Sequence, residues 1–259
     1  MSVHIFNLDE VEVRGVPVPD LLGRIRSGFY LAKDGLTGLR GGVSMLANDV
    51  QRTSGDGVFP TPARYGARVT NWKVHTVARS REERAELDSM LTGIGGARRR
   101  FLVTAQMDGL NLDTLARCGE VPDPLPEQRP RRGRWVSTSE FSLVHDDPIL
   151  YGTSTTERGG ASITLEQRIG AIDAWPELEV IGTGQGYVVT GGGATFSVTT
   201  PLPSGQVDRI DAATRSIIRN GSPLFSGFSG WVAPVPRRGT TTYTVSRGNL
   251  TGTVRPTYL

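Results

Sequence analysis

A capped, amphipathic helix set between two strand-like runs constrains this chain more than any other stretch. Ser80 followed by Glu83 makes a capping box, in which hydroxyl and carboxylate each satisfy a backbone N–H left free by the first helical turn. Leu87, Met90, Leu91 and Ile94 follow at i, i+3, i+4 and i+7. One apolar stripe therefore faces a partner, while Arg81, Glu82, Arg84, Glu86 and Asp88 face water. The spacing predicts a helix over 81–92, ended by left-handed backbone at Gly93, Gly95 and Gly96. Before it, residues 61–78 alternate around Val69, Trp72, Val74 and Val77. After it, Arg98-Arg99-Arg100-Phe101-Leu102-Val103 leaves as a second strand. So narrow an apolar face has to be laid on a sheet.

The remainder reads as β. With 259 residues the chain is expected to form two domains, and 33 glycines and 16 prolines among Thr-rich and Val-rich runs favour strands split by tight turns. Ile5–Leu8 and Val11–Val13 are short strands, Val16–Pro19 an edge strand or extended arm, and Phe29-Tyr30-Leu31 with Lys33-Asp34-Gly35 a hairpin. Residues 119–133, with four prolines among charges, read as an extended loop, either an arm gripping a neighbouring subunit or a mobile segment. Trp135–Val144 returns to strand, and Gly159-Gly160 marks the boundary between domains 1–160 and 161–259. Beyond it, Glu177–Val180, Tyr187–Val189 and Thr195–Val198 are strands at short intervals. Val207–Ile210 and Ile217-Ile218 form a hairpin turned through Asp211, with Asn220-Gly221 as the next turn, and Phe225, Phe228 and Trp231 close the domain. Residues 240–259 either finish it or run back to the first domain. The expectation is a mainly β chain: an N-terminal β-sandwich with one packed helix, then a second β-sandwich.

Charge and motifs exclude more than they select. The formal charge is +3 and nearly every cation is arginine; the clusters at 98–100, 129–134 and 237–238 are separated by acidic residues, so no stripe for tracking phosphates forms. No window holds the roughly 20 apolar residues of a membrane span. The start has no signal-peptide pattern, and the expectation is a soluble chain that is not exported. Cys118 stands alone, which fits a reducing cytoplasm. His4, His75 and His145 are scattered, with no metal-ligand spacing. Asp146-Asp147 before Pro148 is explained by a turn, Gly191-Gly192-Gly193 lacks the Lys-Ser/Thr of a phosphate loop, and Ser229 lacks the second glycine of a nucleophile elbow. No catalytic group, metal or cofactor is expected.

The Gly57-x-Phe59 start, the Arg68-bearing strand, the capped helix with Leu87 and Leu91 and the return at Phe101 resemble the N-terminal domain of the distal tail proteins of long-tailed bacteriophages, the siphovirus tail components. Trp175-Pro176, the Ile210-Asp211 turn, an arginine and Asn220-Gly221, and the aromatic stretch ending near Pro234 resemble that family's C-terminal galectin-like domain. The resemblance implies a virion structural protein assembled in the host cytoplasm. It would form a hexameric ring at the distal end of the tail tube, join the tube to the tail-tip hub and frame the DNA ejection channel. The implied partners are copies of itself, the tail tube protein, the hub or tail-associated protein, the tape measure protein and receptor-binding proteins, with neither membrane nor specific nucleic acid. On this reading Arg68, Trp72, Arg98, Arg99 and Arg100 are candidate subunit contacts. The rival is a carbohydrate-binding module using Trp175 or Trp231 as a stacking platform. Every histidine precedes residue 146, so a galectin-style His, Asn and Arg cluster cannot be built in the second domain.

Overall fold

The computed structural model describes residues 4–15, 25–39, 41, 43–46, 50–51, 58–59, 64–96, 99–182 and 184–259. The chain divides into two units, residues 1–150 with Leu259, and Tyr151–Tyr258. The boundary falls ahead of Gly159-Gly160, because Thr155–Arg158 already pairs within the second unit.

In the first unit, β1 (Ile5–Leu8), β2 (Val11–Arg14) and β3 (Gly28–Thr37) are followed by four two-residue strands: β4 (Met45–Leu46), β5 (Val50–Gln51), β6 (Val58–Phe59) and β7 (Arg64–Tyr65). Then come β8 (Arg68–Ala78), α1 (Arg81–Gly96), β9 (Phe101–Met107), β10 (Leu110–Cys118), β11 (Leu125–Pro126) and β12 (Trp135–His145). The long strands hydrogen-bond in the order β12-β8-β3-β2-β1-β9-β10, and β10 pairs back to β12. The expected N-terminal sandwich is therefore a closed barrel. Closure works because β12 is long: its Val136–Thr138 region takes β11 on one edge, while Leu143 and Val144 take Cys118 and Arg117 of β10 on that same edge. All these pairs are antiparallel except β2–β3. Alternating residues of β8 point inward, and Trp72 sits edge-on to Phe6 (5.3 Å between centroids) and stacked with Phe141 (6.3 Å) at the centre of the core.

The helix forms as its caps require. Glu83 N–H donates to Ser80 Oγ (3.1 Å), and the Glu83 carboxylate accepts from Arg79 N–H (2.6 Å). Leu91 and Ile94 are buried, whereas Met90 is exposed. Arg84 and Asp88 do not face water as their charge suggests. They pair with each other (3.4 Å), and Asp88 accepts from Ser137 Oγ on β12, so a polar hinge-pin flanks the apolar stripe. The helix continues through Gly93 to Gly96 in ordinary right-handed backbone. Gly95 serves a different purpose from the one its position suggests: a Cβ there would come within 2.9 Å of the Val121 backbone. Lys33-Asp34-Gly35 is likewise not a hairpin. It is a bulge inside β3, where the register against β8 shifts between Leu31 and Leu36 and Asp34 takes φ 57°. Residues 119–133 are held by β11 and by a two-residue turn, Arg131 N–H to Arg134 O at 2.7 Å and Arg134 N–H to Arg131 O at 3.0 Å. Val16–Pro19 and Gly57 lie outside the described residues.

The second unit begins at β13 (Leu150–Tyr151), which straddles the boundary. It continues through β14 (Thr155–Arg158), β15 (Ser162–Gln167), β16 (Glu177–Ile181), β17 (Gln185–Gly191), β18 (Ala194–Leu202), β19 (Val207–Asp211), β20 (Ser216–Arg219), β21 (Ser222–Leu224), β22 (Phe228–Gly230), β23 (Gly239–Val245), β24 (Asn249–Val254) and β25 (Thr257–Tyr258). Two antiparallel sheets result, ordered β14-β24-β16-β19-β20-β21 and β15-β23-β17-β18-β22. Inward residues of both, including Leu165, Leu178, Phe196, Ile210, Ile217, Tyr243 and Leu250, form one apolar cluster. Residues 240–254 finish this unit through β23 and β24. Gly192 (φ 57°) and Gly193 (φ 79°) turn the β17–β18 hairpin, and Asn220 (φ 45°) with Gly221 (φ 85°) turns β20 into β21. Asp211 Oδ1 accepts from Ala213 N–H (2.8 Å) and Thr214 N–H (3.1 Å), which makes the preceding turn. Phe228 packs on Phe196 at 5.8 Å, but Phe225 is 88 % exposed and closes nothing.

Candidate functional site

The five residues proposed as subunit contacts separate into three kinds. Arg68 is 3 % exposed: its Nε donates to Pro148 O (2.9 Å), and its Nη1 donates to Gly38 O (3.0 Å), Leu39 O (2.6 Å) and Gly41 O (3.3 Å). It ties a loop to the barrel wall of its own chain. Trp72 is 1 % exposed, with its indole N–H given to Thr70 Oγ1 (2.9 Å). Both corrections have one cause. The closed barrel turns every even-numbered residue of β8 from Arg68 to Ala78 inward, and carbonyls of Gly38, Leu39, Gly41 and Pro148 take the donors of Arg68 Nε and Nη1. Arg98 lies outside the described residues. Arg99 and Arg100 are exposed and paired, to Asp9 (2.8 Å) and Asp146 (2.7 Å), and Arg117 also approaches Asp146 (3.4 Å). Such exposed pairs contribute about 0–1 kcal/mol each.

Beside Arg68 lies a buried polar network that spacing alone does not reveal. His145 faces Arg68 in the β8–β12 register, and its Nε2 sits 3.0 Å from Thr70 Oγ1. Burial first, and then the neighbouring guanidinium, push the His145 imidazole down to about 4. It is a neutral structural group without access to solvent. His75 makes a 3.0 Å contact from Nδ1 to Thr138 Oγ1, and burial likewise lowers its pKa. Among the described residues no group of three or more His, Cys, Asp or Glu side chains is placed to hold a metal ion, and no helix is long and apolar enough to cross a membrane.

In the second unit the run from Gly205 to Gly221 carries more than a hairpin. Asp208 and Arg219 are directly opposed across β19 and β20. Arg219 grips the fully buried Asp208 with both arms of its fork, Nε to Oδ1 at 2.7 Å and Nη2 to Oδ2 at 2.8 Å. Tyr187 on the other sheet donates its hydroxyl to Oδ2 (2.9 Å), and Arg219 Nη1 reaches Pro201 O (2.9 Å). Burial beside that carboxylate raises the Tyr187 phenol, and the hydrogen bond to Asp208 raises the Arg219 guanidinium. One carboxylate thus joins both sheets. An Asp and an Arg spaced to meet across a hairpin is the signal that could have found it. Trp175 and Trp231 are each 41 % exposed, half embedded and half on the surface.

No protein-family model matches the chain, and no curated protein matches it in sequence. Solved structures do match. One is Dit (gp 19.1) of phage SPP1, described as a paradigm of the hub adsorption apparatus in phages that infect Gram-positive bacteria. It is 14 % identical, with 89 % of this chain and 94 % of that one covered and a TM-score of 0.64. Another is the phage P2 baseplate in its activated conformation with Ca, 9 % identical, covering 99 % of this chain and 98 % of that one at a TM-score of 0.46. The fold resemblance to SPP1 Dit is carried by nearly the whole of both chains. From barrel to paired sheets, this protein has the fold of a phage distal tail hub protein.

Proposed function

We propose that the chain is an architectural component of a phage tail tip, incorporated into the virion after assembly in the host cytoplasm. Copies of it form a hexameric ring at the distal end of the tail tube. The ring joins the tube to the hub and baseplate and frames the channel for DNA ejection, and the second unit of each copy is galectin-like. Its neighbours are further copies of itself, the tail tube protein and the hub protein, with tape measure and receptor-binding proteins in reach. It performs no bond-making chemistry. The observation that carries this reading is the fold shared with SPP1 Dit along 89 % of the chain. The test is size-exclusion chromatography with light scattering and negative-stain imaging, with and without purified tail tube protein. Annular hexamers are expected. A monomer that ignores the tube would overturn the reading.

A second reading, carbohydrate recognition by the second unit, is favoured by the half-exposed Trp175 and Trp231, which offer the amphipathic ring faces on which sugars stack. A glycan array decides it: specific hits abolished by Trp175→Ala or Trp231→Ala support a lectin role, and a blank array removes it.

A further inference from the structure

The outer wall of the barrel carries a cleft of about 440 Å³ that neither reading uses. Its floor is the outward face of β8 and β12, where Val77 and Val136 lie beside His75, and its rim is the arginine-rich turn after β11. Arg131, Arg132 and Arg134 all line it, against one carboxylate, Glu127. The cleft is cationic above and apolar below.

The turn carries an arginine where an asparagine would be less strained. A two-residue turn with both central residues left-handed favours Asn-Gly, because a longer side chain pays for positive φ at the first position. Here that position is Arg132, at φ 48°, followed by Gly133 at 71°. At the β20–β21 turn this chain uses Asn220-Gly221 for the same conformation. Several of the barrel's other outward cations have carboxylates: Lys73 has Glu140, Arg99 has Asp9, and Arg100 and Arg117 share Asp146. Among the described residues the side chains of Arg131 and Arg132 have no such partner. Planar guanidinium forks held at the mouth of a pocket with an apolar floor match a carboxylate that has an aliphatic neighbour.

We propose that this cleft binds an acidic peptide segment of a neighbouring protein, with an Asp or Glu side chain taken between the exposed Arg131 and Arg132 and an adjacent apolar side chain resting on Val77 and Val136. That the neighbour is a tail component rests on the architectural reading. The chemistry of the pocket does not, so the test is made on the full-length chain with no other tail protein present, whatever its oligomeric state. A blocked leucine–glutamate–leucine tripeptide is titrated while backbone amide shifts are followed by NMR. Saturable shifts at His75, Val136 and Arg131 are expected, and the glutamine analogue should bind at least about fivefold more weakly. Arg132→Asn separates binding from folding: it relieves the turn, so the melting temperature holds or rises while peptide affinity falls about fivefold to tenfold. Three results would overturn the proposal: equal binding of both peptides, an Arg132→Asn variant that binds as well as the parent, or inorganic phosphate producing the same shifts at the same concentration.

Discussion

Replacing Arg219 by Met tests whether the second unit is held together through one carboxylate. Asp208 is fully buried, and its charge is met by the two arms of Arg219 at 2.7 and 2.8 Å and by the Tyr187 hydroxyl at 2.9 Å. Arg219→Met keeps most of the side-chain volume but removes the countercharge and leaves a single neutral donor. Removing one partner of a buried pair costs about 3–5 kcal/mol; Arg219 retains some solvent contact, which places the expected loss near 3 kcal/mol. For a unit of roughly a hundred residues, unfolding entropy near 0.2 kcal/mol/K converts this to a fall of about 15 °C in its melting temperature. Arg219→Lys, which keeps the charge but not the fork, should lose about half as much. The assay is calorimetry on the whole chain together with hydrogen exchange read by mass spectrometry. Protection should fall across Glu177–Asp211 and stay unchanged across Phe101–Cys118 in the barrel. A melting temperature within about 3 °C of the parent would refute the reasoning, since a buried unpaired carboxylate cannot be that cheap.

The barrel should weaken in mild acid. His145 stays neutral down to about 4 in the folded chain but takes its proton near 6.5 when unfolded, so its contribution is whole above pH 6.5 and is lost as pH falls towards 4. The loss is about 3 kcal/mol, and urea titrations between pH 7 and 4 should show a slope that His145→Gln flattens. Ser80→Ala removes the acceptor for Glu83 N–H and should cost the barrel about 1 kcal/mol, read as a fall of about 3 °C in its calorimetric transition. Gly38→Ala places a Cβ 2.1 Å from Val69 O at φ 82°, and should lower the urea midpoint of the barrel by an amount worth more than about 1 kcal/mol.

Local rules made much of this architecture legible in the sequence. The capping box, the alternation of β12 and the Asn220-Gly221 turn are each decided within a few residues and stand where their chemistry puts them; β8 alternates too, but Val69 and Val77, grouped with Trp72 and Val74 in the sequence, lie on its opposite face. What sequence could not give depends on long-range pairing. Whether the first sheet stays open or closes is settled by Arg117 and Cys118 meeting Val144 and Leu143, residues far apart in the chain. The same closure buries Arg68 and Trp72, which the family resemblance offers as subunit contacts. Asp34-Gly35 has the composition of a hairpin turn and became a bulge, because β3 continues along β8 on both sides of it. The arginine cleft was invisible for a related reason. Arg131 and His75 share no motif, and the β8–β12 pairing that places His75 opposite Thr138 is what sets the turn over it.

Because the first unit's main wall of strands closes upon itself, a neighbour docking there finds almost no unspent backbone to borrow. Assembly by trading strands, the easiest route for open β proteins and the one most prone to run on into fibres, is largely denied to it. Recognition along that wall has to be written in side chains. Chains built on this plan can therefore keep their skeleton while exchanging partners one surface residue at a time.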